Sequence, residues 1–316
     1  MAVLVVEALE VEELLEAGKT LIINILKFIL SLFFMIKKIY PFFTILLFIS
    51  CQNFGQLNFL TDLPKGLKEV SGVELVNNSN LIWLINDGGN RSNLFALSKK
   101  GKVKRQIDIE TKNHDWEDLT SDEKGNIYIG DFGNNGSKRK NLKILKVKRK
   151  RLDNKKSEVT KIEFKYENQK KFPPKDKDLY FDAEAFFYFK NNFYVFTKSR
   201  VKNNYGKTFL YKIPAKKGKH IAKLIGEFDN GKENESWITS ADISSDGKKV
   251  VLLSQKNILI FTDFINDKFL SGKVEKIDLE HHSQKEGICF KDNNTLLITD
   301  EKSDGEGGNL YELMIN

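Results

Sequence analysis

The stretch that decides the fold is Asp115-Trp116-Glu117-Asp118-Leu119, followed by Gly125-Asn126-Ile127-Tyr128-Ile129-Gly130-Asp131-Phe132-Gly133-Asn134-Asn135. Two short apolar runs are separated by a polar turn, and a second turn rich in Gly, Asn and Asp follows them. Apolar β-rich runs bounded by such residues predict a β-hairpin. The first strand of this hairpin also begins with carboxylates.

The same pattern returns four more times, in hairpins that begin near Ser71, Asp182, Ser240 and Lys285. After each of the first four hairpins come two further strands in which apolar and charged residues alternate, as in half-exposed strands. The hairpin strands themselves are almost continuously apolar, as in buried strands. Units of four strands that repeat at roughly 45 to 65 residues predict the blades of a β-propeller.

The last unit has only three strands, and Leu310–Leu313 is its third. The segment 56–61 can supply the missing outer strand, which would close the ring and remove an open sheet edge. The sequence therefore predicts an all-β fold, a β-propeller of four-stranded blades in which the N-terminal strand closes the last blade. Five blades are favoured, six are possible if 150–180 hides another, and a β-sandwich is the alternative architecture.

The N-terminal region predicts export. Residues 20–50 are strongly apolar and could by themselves form a transmembrane anchor. The segment from Met35 has two lysines, an apolar core and a small residue before Cys51, and so resembles a bacterial lipoprotein signal. We expect residues 1–34 to be a spurious upstream extension, 35–50 the signal peptide, 51–55 the acylated N-terminus and tether, and 56–316 the propeller. A plain signal-anchor helix with an incidental Cys51 is the alternative.

Lipidation of Cys51 would anchor the exported protein to the bacterial cell envelope, and we favour the outer membrane. The formal net charge is +8, and basic residues concentrate in the outer strands and loops. No aromatic platforms for nucleic-acid bases alternate with them, so we expect no nucleic-acid partner. The expected partners are the membrane, through the N-terminal lipid, and an unknown envelope protein or small ligand. Cys289 lies in an apolar run and is expected to be buried.

Propeller geometry places the loop that enters each innermost strand beside the loop that leaves the second strand. Carboxylates recur at the first of these loops, and we expect them to surround one mouth of the central channel. Possible metal ligands are Glu117, Glu184, Asp242 and Glu286, and the first, second and fourth are also catalytic candidates. The other candidate residues for ligand binding at this mouth are Asn86, Asp87, Asp115, Asp131, Asn134, Asn135, Asp182, Lys198, Arg200 and Asp300.

Three interpretations of this acidic mouth remain open. The oxygens could bind a hard cation such as Ca²⁺, which takes six to eight oxygen ligands. They could instead pair with Arg91, Arg139, Lys198 and Arg200 and brace neighbouring blades. One or two carboxylates could also act as general acid or base on a ligand. The chain contains no Walker loop, no Gly-x-Ser-x-Gly elbow and no His-Glu-x-x-His sequence.

Six short motifs resemble exported bacterial β-propellers of the SdiA-regulated and esterase-like-phytase kind, within the broad NHL and gluconolactonase-like group. They are Val70-Ser71-Gly72-Val73, Asn86-Asp87-Gly88-Gly89-Asn90, Asp115-Trp116-Glu117-Asp118, Gly130-Asp131-Phe132-Gly133-Asn134-Asn135, Asp182-Ala183-Glu184-Ala185 and Glu286-Gly287-Ile288. The resemblance covers about residues 56–316, and the group includes calcium-dependent hydrolases. We expect a lipid-anchored binding or scaffold propeller with an unknown ligand. The alternative is a calcium-dependent hydrolase of the phytase or lactonase type that acts at the channel mouth.

Overall fold

The computed structural model describes residues 15–35, 53–77, 79–303 and 305–315. The chain divides into two units, Met1–Asn53 and Phe54–Asn316. In the first unit the described residues form one helix, α1 (Leu15–Met35), which is long and apolar enough to cross a membrane. Such a helix near the N-terminus is compatible with a signal sequence. Cys51 lies outside the described residues, so its lipidation and the predicted boundaries before residue 53 remain predictions.

The second unit is built from short strands in antiparallel hairpins. Its described strands, in chain order, are β1 (Asn58–Asp62), β2 (Val70–Leu75), β3 (Ile82–Asn86), β4 (Asn93–Leu97), β5 (Val103–Ile109), β6 (Trp116–Ser121), β7 (Ile127–Asp131), β8 (Lys143–Val147), β9 (Lys156–Ser157), β10 (Thr160–Tyr166), β11 (Asp182–Phe189), β12 (Asn192–Lys198), β13 (Lys207–Pro214), β14 (Gly218–Asp229), β15 (Ile238–Ile243), β16 (Val250–Ser254), β17 (Asn257–Thr262), β18 (Lys273–Asp278), β19 (Lys285–Asp292), β20 (Thr295–Asp300) and β21 (Asn309–Met314).

The strands form a closed ring of four-stranded units. Within the described residues, five inner strands, β2, β6, β11, β15 and β19, contact one another in succession, and β19 contacts β2 to complete the ring. Each inner strand pairs with the next strand in sequence, and the pairing continues outward. An antiparallel four-stranded unit repeated around a central channel is the architecture of a β-propeller. This confirms the predicted fold class.

The N-terminal strand closes the ring as predicted. Strand β1 pairs antiparallel with β21, with Asn58 opposite Glu312 and Asp62 opposite Asn309. The last unit therefore has the order β1-β21-β20-β19 and combines the two ends of the domain in one sheet. Because the first and last strands are hydrogen-bonded, the ring cannot open without breaking this ladder.

Residues 150–180 contribute edge strands. Strand β9 extends the first four-stranded propeller unit, β2 to β5, by pairing parallel with β5. Strand β10 is the outer strand of the second propeller unit, whose other strands are β6, β7 and β8. It pairs parallel with β14, the outer strand of the third propeller unit, with Ile162 opposite Gly218. The two units thus form one eight-stranded sheet. These contacts cover outer edges that would otherwise carry unpaired backbone groups.

The core consists of apolar layers between neighbouring sheets. Trp83 and Trp116 belong to the same buried cluster, which joins the first two units. Trp116 is fully buried in this cluster and is thus a packing residue of the core. Cys289 is 1% exposed and has a free thiol, in agreement with the expected buried apolar role.

Candidate metal and ligand site at the channel mouth

A β-bulge occurs near the start of each of the five described inner strands. The pairing register shifts between Ala183 and Ala185, so Glu184 has no partner on the neighbouring strand. Glu286 is skipped in the same way. A bulge leaves its extra residue unpaired and turns its side chain in a new direction. The residues at the five bulges are Ser71, Glu117 with Asp118, Glu184, Thr239 and Glu286.

Four of the bulged residues, Ser71, Glu117, Glu184 and Glu286, line a cavity of about 330 Å³, the mouth cavity, at the end of the channel where the inner strands begin. All three catalytic candidates predicted from the sequence, Glu117, Glu184 and Glu286, line it. The structure thus brings these three glutamates together. The remaining lining residues are Val70, Ser71, Asp87, Asn135, Lys198, Arg200, Trp237, Gln255, Gln284 and Glu301.

One side of the mouth cavity is a dense group of ion pairs around Glu184. Lys198 Nζ donates to Glu184 Oε2 at 3.0 Å, and Arg200 Nη2 donates to Glu184 Oε1 at 3.1 Å. Arg200 Nε also donates to Asp182 Oδ2 at 2.6 Å. Burial acts to raise the pKa of Glu184, but Lys198 and Arg200 outweigh it, and the net pKa lies below its ordinary value. Glu184 is therefore ionised and already neutralised by protein cations.

Trp237 supports this cationic side. Lys198 Nζ lies 5.2 Å from the centroid of a Trp237 ring, and the Arg200 guanidinium carbon lies 5.0 Å from it. The indole Nε1 donates to Ser199 O at 2.5 Å, which fixes the orientation of the ring. A cation above an indole face is attracted by the ring quadrupole. The arrangement holds both cations at the cavity wall.

On the other side of the mouth cavity lie Asp87 and Glu117, with Asp115 next to them, and among the described residues neither Asp87 nor Glu117 forms an ion pair. Asp87, Asp115 and Glu117 each offer an oxygen, and these oxygens lie within 4.8 Å of one another. Burial raises the pKa of Asp87 to about 7, and the charges of Glu184 and Asp115 add to the shift. The pKa of Glu117 is well above its ordinary value for the same reasons, burial first and Glu184 second. We call these three residues the acidic triad.

Asp115 is the member of the triad that has a cation nearby. Arg139 Nη1 lies 3.9 Å from Asp115 Oδ2 and lowers the pKa of that carboxyl, but burial is the larger effect and the pKa remains raised. Arg139 is bound more tightly to Asp131, at 2.7 Å. The triad is thus only partly compensated by the protein, and a hard cation would offset the remaining charge.

Two glycines pack directly against the carboxylates of the acidic triad. A Cβ atom on Gly133 would overlap Glu117 Oε1 and would come within 2.6 Å of Asp115 Cγ. A Cβ atom on Gly88 would overlap Asp115 Oδ1. Gly133 N also donates to Asp115 O at 3.2 Å. Bare backbone therefore packs directly against the carboxylates, and only glycine allows this close approach.

The donor set of the triad fits a hard divalent cation. Carboxylate oxygens are the ligands that Ca²⁺ and Mg²⁺ prefer. Two Ca–O bonds of about 2.5 Å span about 5 Å, so oxygens within 4.8 Å of one another can share one ion. The acidic triad could therefore hold a metal ion. Within the described residues it joins two propeller units, since Asp87 follows β3 and Glu117 lies on β6.

Glu286 and Glu301 form a second acidic pair in the mouth cavity. Burial raises the pKa of Glu286 to about 8, and Lys198 opposes this shift. Burial and then Glu69 raise the pKa of Glu301. A carboxyl with a pKa near 8 keeps its proton at neutral pH and can exchange it there, as a general acid or base must. Glu286 is thus a carboxyl of the mouth cavity that can exchange a proton near neutral pH.

Asp242 does not join the other predicted metal ligands. It lines a separate cavity of about 510 Å³, the opposite cavity, together with Glu74. The reason is register, because Thr239 and not Asp242 is the bulged residue of β15. Asp242 comes three residues later, which moves it about 10 Å along the channel. The expectation that it would meet Glu117, Glu184 and Glu286 at one mouth was wrong.

Several predicted mouth residues lie behind the cavity wall and fix its loops. Asp131 is fully buried and binds Lys143 at 2.9 Å as well as Arg139. Asp182 accepts from Asn134 N at 2.6 Å, and Asn134 Nδ2 donates to Phe181 O at 3.0 Å. Asn86 Nδ2 donates to Gly66 O at 2.7 Å. Asp300 accepts from the Tyr311 hydroxyl at 2.7 Å. Asn135, by contrast, reaches the cavity and accepts a hydrogen bond from Arg200.

The bracing interpretation holds for part of the predicted cations. Arg139, Lys198 and Arg200 all form ion pairs with buried carboxylates. Arg91 is exposed and takes part in none of the ion pairs found in the described chain. The mouth therefore combines neutralised carboxylates on one side with uncompensated ones on the other.

Sequence reasoning missed four polar or aromatic residues of the mouth cavity, Ser71, Trp237, Gln255 and Gln284. Trp237 and Gln284 come just before inner strands, and Gln255 follows a second strand. These are the loops that propeller geometry brings to this face. The rule that placed the carboxylates could have found them, but neutral side chains gave no repeated charge signal.

Comparison with known proteins adds little beyond the fold. No family model and no curated protein matches the chain. Among solved structures, a gluconolactonase from Xanthomonas campestris is similar at 10% identity, over 82% of this chain and 89% of that one, with a TM-score of 0.47. An aldose sugar dehydrogenase with bound PQQ from Streptomyces coelicolor is similar at 7% identity, over 82% of this chain and 98% of that one, with a TM-score of 0.49. Virginiamycin B lyase from Staphylococcus aureus is similar at 14% identity, over 80% of this chain and 69% of that one, with a TM-score of 0.39. Because all three TM-scores are below 0.5, the assignment of the β-propeller fold rests on the strand order described above.

Proposed function

We propose that the protein is a binding module of the cell envelope whose channel mouth takes up a divalent cation and a small polar ligand. One observation carries this proposal: Asp87 and Glu117 of the acidic triad line the same cavity of about 330 Å³ as Lys198 and Arg200, and Asp115 lies against these two carboxyls. That volume lies at the lower end of the range for small-molecule pockets, about 300 to 1,000 Å³. A ligand there meets lysine and arginine on one side and carboxyl oxygens on the other.

Calcium is the cation that we propose. The triad offers only carboxylate oxygens, and the spacing of up to 4.8 Å suits the longer bonds of Ca²⁺ better than the bonds of Mg²⁺. Further oxygens would come from the ligand or from water, because Ca²⁺ takes six to eight. The amides of Asn135, Gln255 and Gln284 would bind a ligand rich in hydroxyl or carbonyl oxygens.

Isothermal titration calorimetry tests this proposal on the whole chain. A panel of sugars, lactones and phosphoesters is titrated with calcium and again with chelator. The expected result is a ligand that binds only with calcium and that loses at least tenfold in affinity in Trp237→Ala, because the wall of the cavity is then displaced. Ligand binding of equal strength in chelator would contradict the role of the cation.

A second candidate function, hydrolysis, is favoured by Glu286. This carboxyl lines the cavity, has a pKa of about 8 and faces Lys198, which could stabilise a developing negative charge. A bound divalent cation would polarise an oxygen of an ester, lactone or phosphoester. Turnover of such a substrate that falls at least a hundredfold in Glu286→Gln, with ligand affinity retained, would favour the hydrolase over the binding module.

The envelope location is a separate part of the proposal. It rests on α1, which is compatible with a signal sequence or a membrane-spanning segment, and on the lipoprotein-like sequence before Cys51. Metabolic labelling with a palmitate analogue should mark the wild type and leave Cys51→Ser unlabelled. Equal labelling of the two would remove the lipid anchor and leave α1 as the alternative tether.

A further inference from the structure

The turn between β4 and β5 is unusually basic. Lys99, Lys100, Lys102 and Lys104 are all exposed, and with Asn80 and Ser98 they line a shallow cavity of about 600 Å³. We call residues 98–104 the lysine hairpin. Its backbone is fixed, since Ser98 N donates to Lys102 O at 2.9 Å and Gly101 N donates to Ser98 O at 2.9 Å. Gly101 has a φ of +71°, which allows the tight turn.

The four lysines of the hairpin lack the acidic partners that some other surface lysines have. None of them takes part in an ion pair among the described residues. On other blades, Lys146 pairs with Asp122 and Lys223 pairs with Glu167. The acid on the element packed against the hairpin is Asp62, which leaves a local formal charge of about +3. The hairpin is therefore a concentrated positive charge that the protein itself does not neutralise.

The lysine hairpin lies beside the first strand of the domain. A Cβ atom on Gly101 would meet Thr61 Oγ1 at 2.7 Å and Asp62 O at 3.1 Å, so the turn packs on β1. Three exposed apolar side chains lie on these elements, Val103 at 44% exposure, Phe59 at 38% and Leu60 at 36%. The domain begins at Phe54, and the chain before it contains the apolar helix α1.

We propose that the lysine hairpin docks on the headgroups of anionic lipids and orients the propeller on the membrane to which its N-terminus leads. Charge complementarity supports this occupant, because each lysine near an anionic bilayer contributes about fivefold to affinity. Val103 and Leu60 would enter the headgroup region between the amines. The N-terminal part of the chain would lead to that bilayer, through the apolar helix α1 or through a lipid on Cys51. This inference is independent of the channel mouth.

Hydrogen exchange on the full chain tests the proposal. The protein is reconstituted into vesicles of phosphatidylcholine, or of phosphatidylcholine with phosphatidylglycerol, and exchange is followed at residues 98–104. We expect exchange there to slow at least fivefold in the anionic vesicles alone, and to recover in high salt, which screens surface charge. Equal exchange in the two kinds of vesicle would overturn the proposal.

Two variants make the test specific. In Lys99→Gln/Lys100→Gln/Lys102→Gln/Lys104→Gln the slowing should be lost. The control removes the same charge from exposed lysines of other units, Lys161→Gln/Lys165→Gln/Lys216→Gln/Lys217→Gln, and should keep it. Equal loss in both variants would show a general charge effect and overturn the proposal. Protection by inorganic phosphate without vesicles, equal to that by anionic lipid, would instead assign a free anion to the hairpin and also overturn it.

Discussion

Lys198 Nζ lies 3.0 Å from Glu184 Oε2, and the two side chains are 9% and 5% exposed. This is a buried ion pair at the wall of the mouth cavity, and it determines how the remaining charges behave. Because Lys198 and Arg200 neutralise Glu184, they hold its pKa low, whereas burial raises the pKa of Glu117 and of Glu286.

The first prediction concerns the stability of this pair. Lys198→Met leaves Glu184 buried with Arg200 as its remaining cation, and we expect a loss of about 3 kcal/mol in the free energy of unfolding. Urea denaturation measures it. The control is Lys212→Met, which breaks the half-exposed pair with Asp267 and should cost less than about 1 kcal/mol. A similar small cost for both variants would mean that Glu184 is solvated or protonated in the folded protein.

The second prediction concerns pH. Burial raises the pKa of Asp87, Asp182 and Asp242 to about 7 and that of Glu286 to about 8. In the unfolded chain such groups titrate near about 4. Between these values the folded state binds more protons, so stability falls as pH rises from about 4 to about 8. With chelator present, the thermal midpoint should be several degrees higher at about pH 6.5 than at about pH 8.

Two basic groups act against this trend at the edges of the window. Burial lowers the pKa of His281, so its contribution changes mainly near and below about pH 6.5. Burial lowers the pKa of Lys285 to about 8, so its contribution changes mainly near and above that pH, and the four carboxyls determine the net direction between the two values. A midpoint that is flat or that rises between the two pH values would contradict the assignment of protonated carboxyls in the channel.

The third prediction uses the glycine behind the triad. Gly133→Ala would place a Cβ atom on Glu117 Oε1, so Glu117 must move and calcium affinity should fall at least tenfold. Gly136→Ala is the matched control in the same loop, since its Cβ atom would meet only the Lys138 side chain at 3.5 Å. Calorimetric titration with Ca²⁺ compares them. If both variants bind like the wild type, Glu117 is not a ligand.

The fold could be predicted from sequence because its signals are local. Each hairpin is marked by two apolar runs and a turn of Asn, Asp or Gly, as in Asp122–Asn126 between β6 and β7. The closing role of β1 followed from a missing strand in the last unit. The parallel pairing of β10 with β14 could not be predicted, since it joins outer strands whose alternating pattern fits a free edge equally well.

The site was predictable in part for a related reason. Glu117, Glu184 and Glu286 meet because each occupies a bulge at the start of an inner strand, and the repeat pattern aligned them. Asp242 was misplaced because a shift of three residues along a strand does not change the hairpin pattern. The triad itself combines Asp87 of one unit with residues of the next, and contacts between units leave no mark in the sequence of either.

The most direct test of the central claim is the thermal midpoint of the full chain in millimolar calcium and in chelator, measured for the wild type, Asp87→Asn and Asp242→Asn at about pH 8. Desolvation raises the pKa of both aspartates to about 7, but they line different cavities. A cation that binds the folded state stabilises it by about 2.7 kcal/mol at a hundred times its dissociation constant. The account predicts that calcium raises the midpoint of the wild type and of Asp242→Asn by the same amount and leaves that of Asp87→Asn unchanged. A midpoint that calcium leaves unchanged in the wild type, or raises equally in all three proteins, would contradict it.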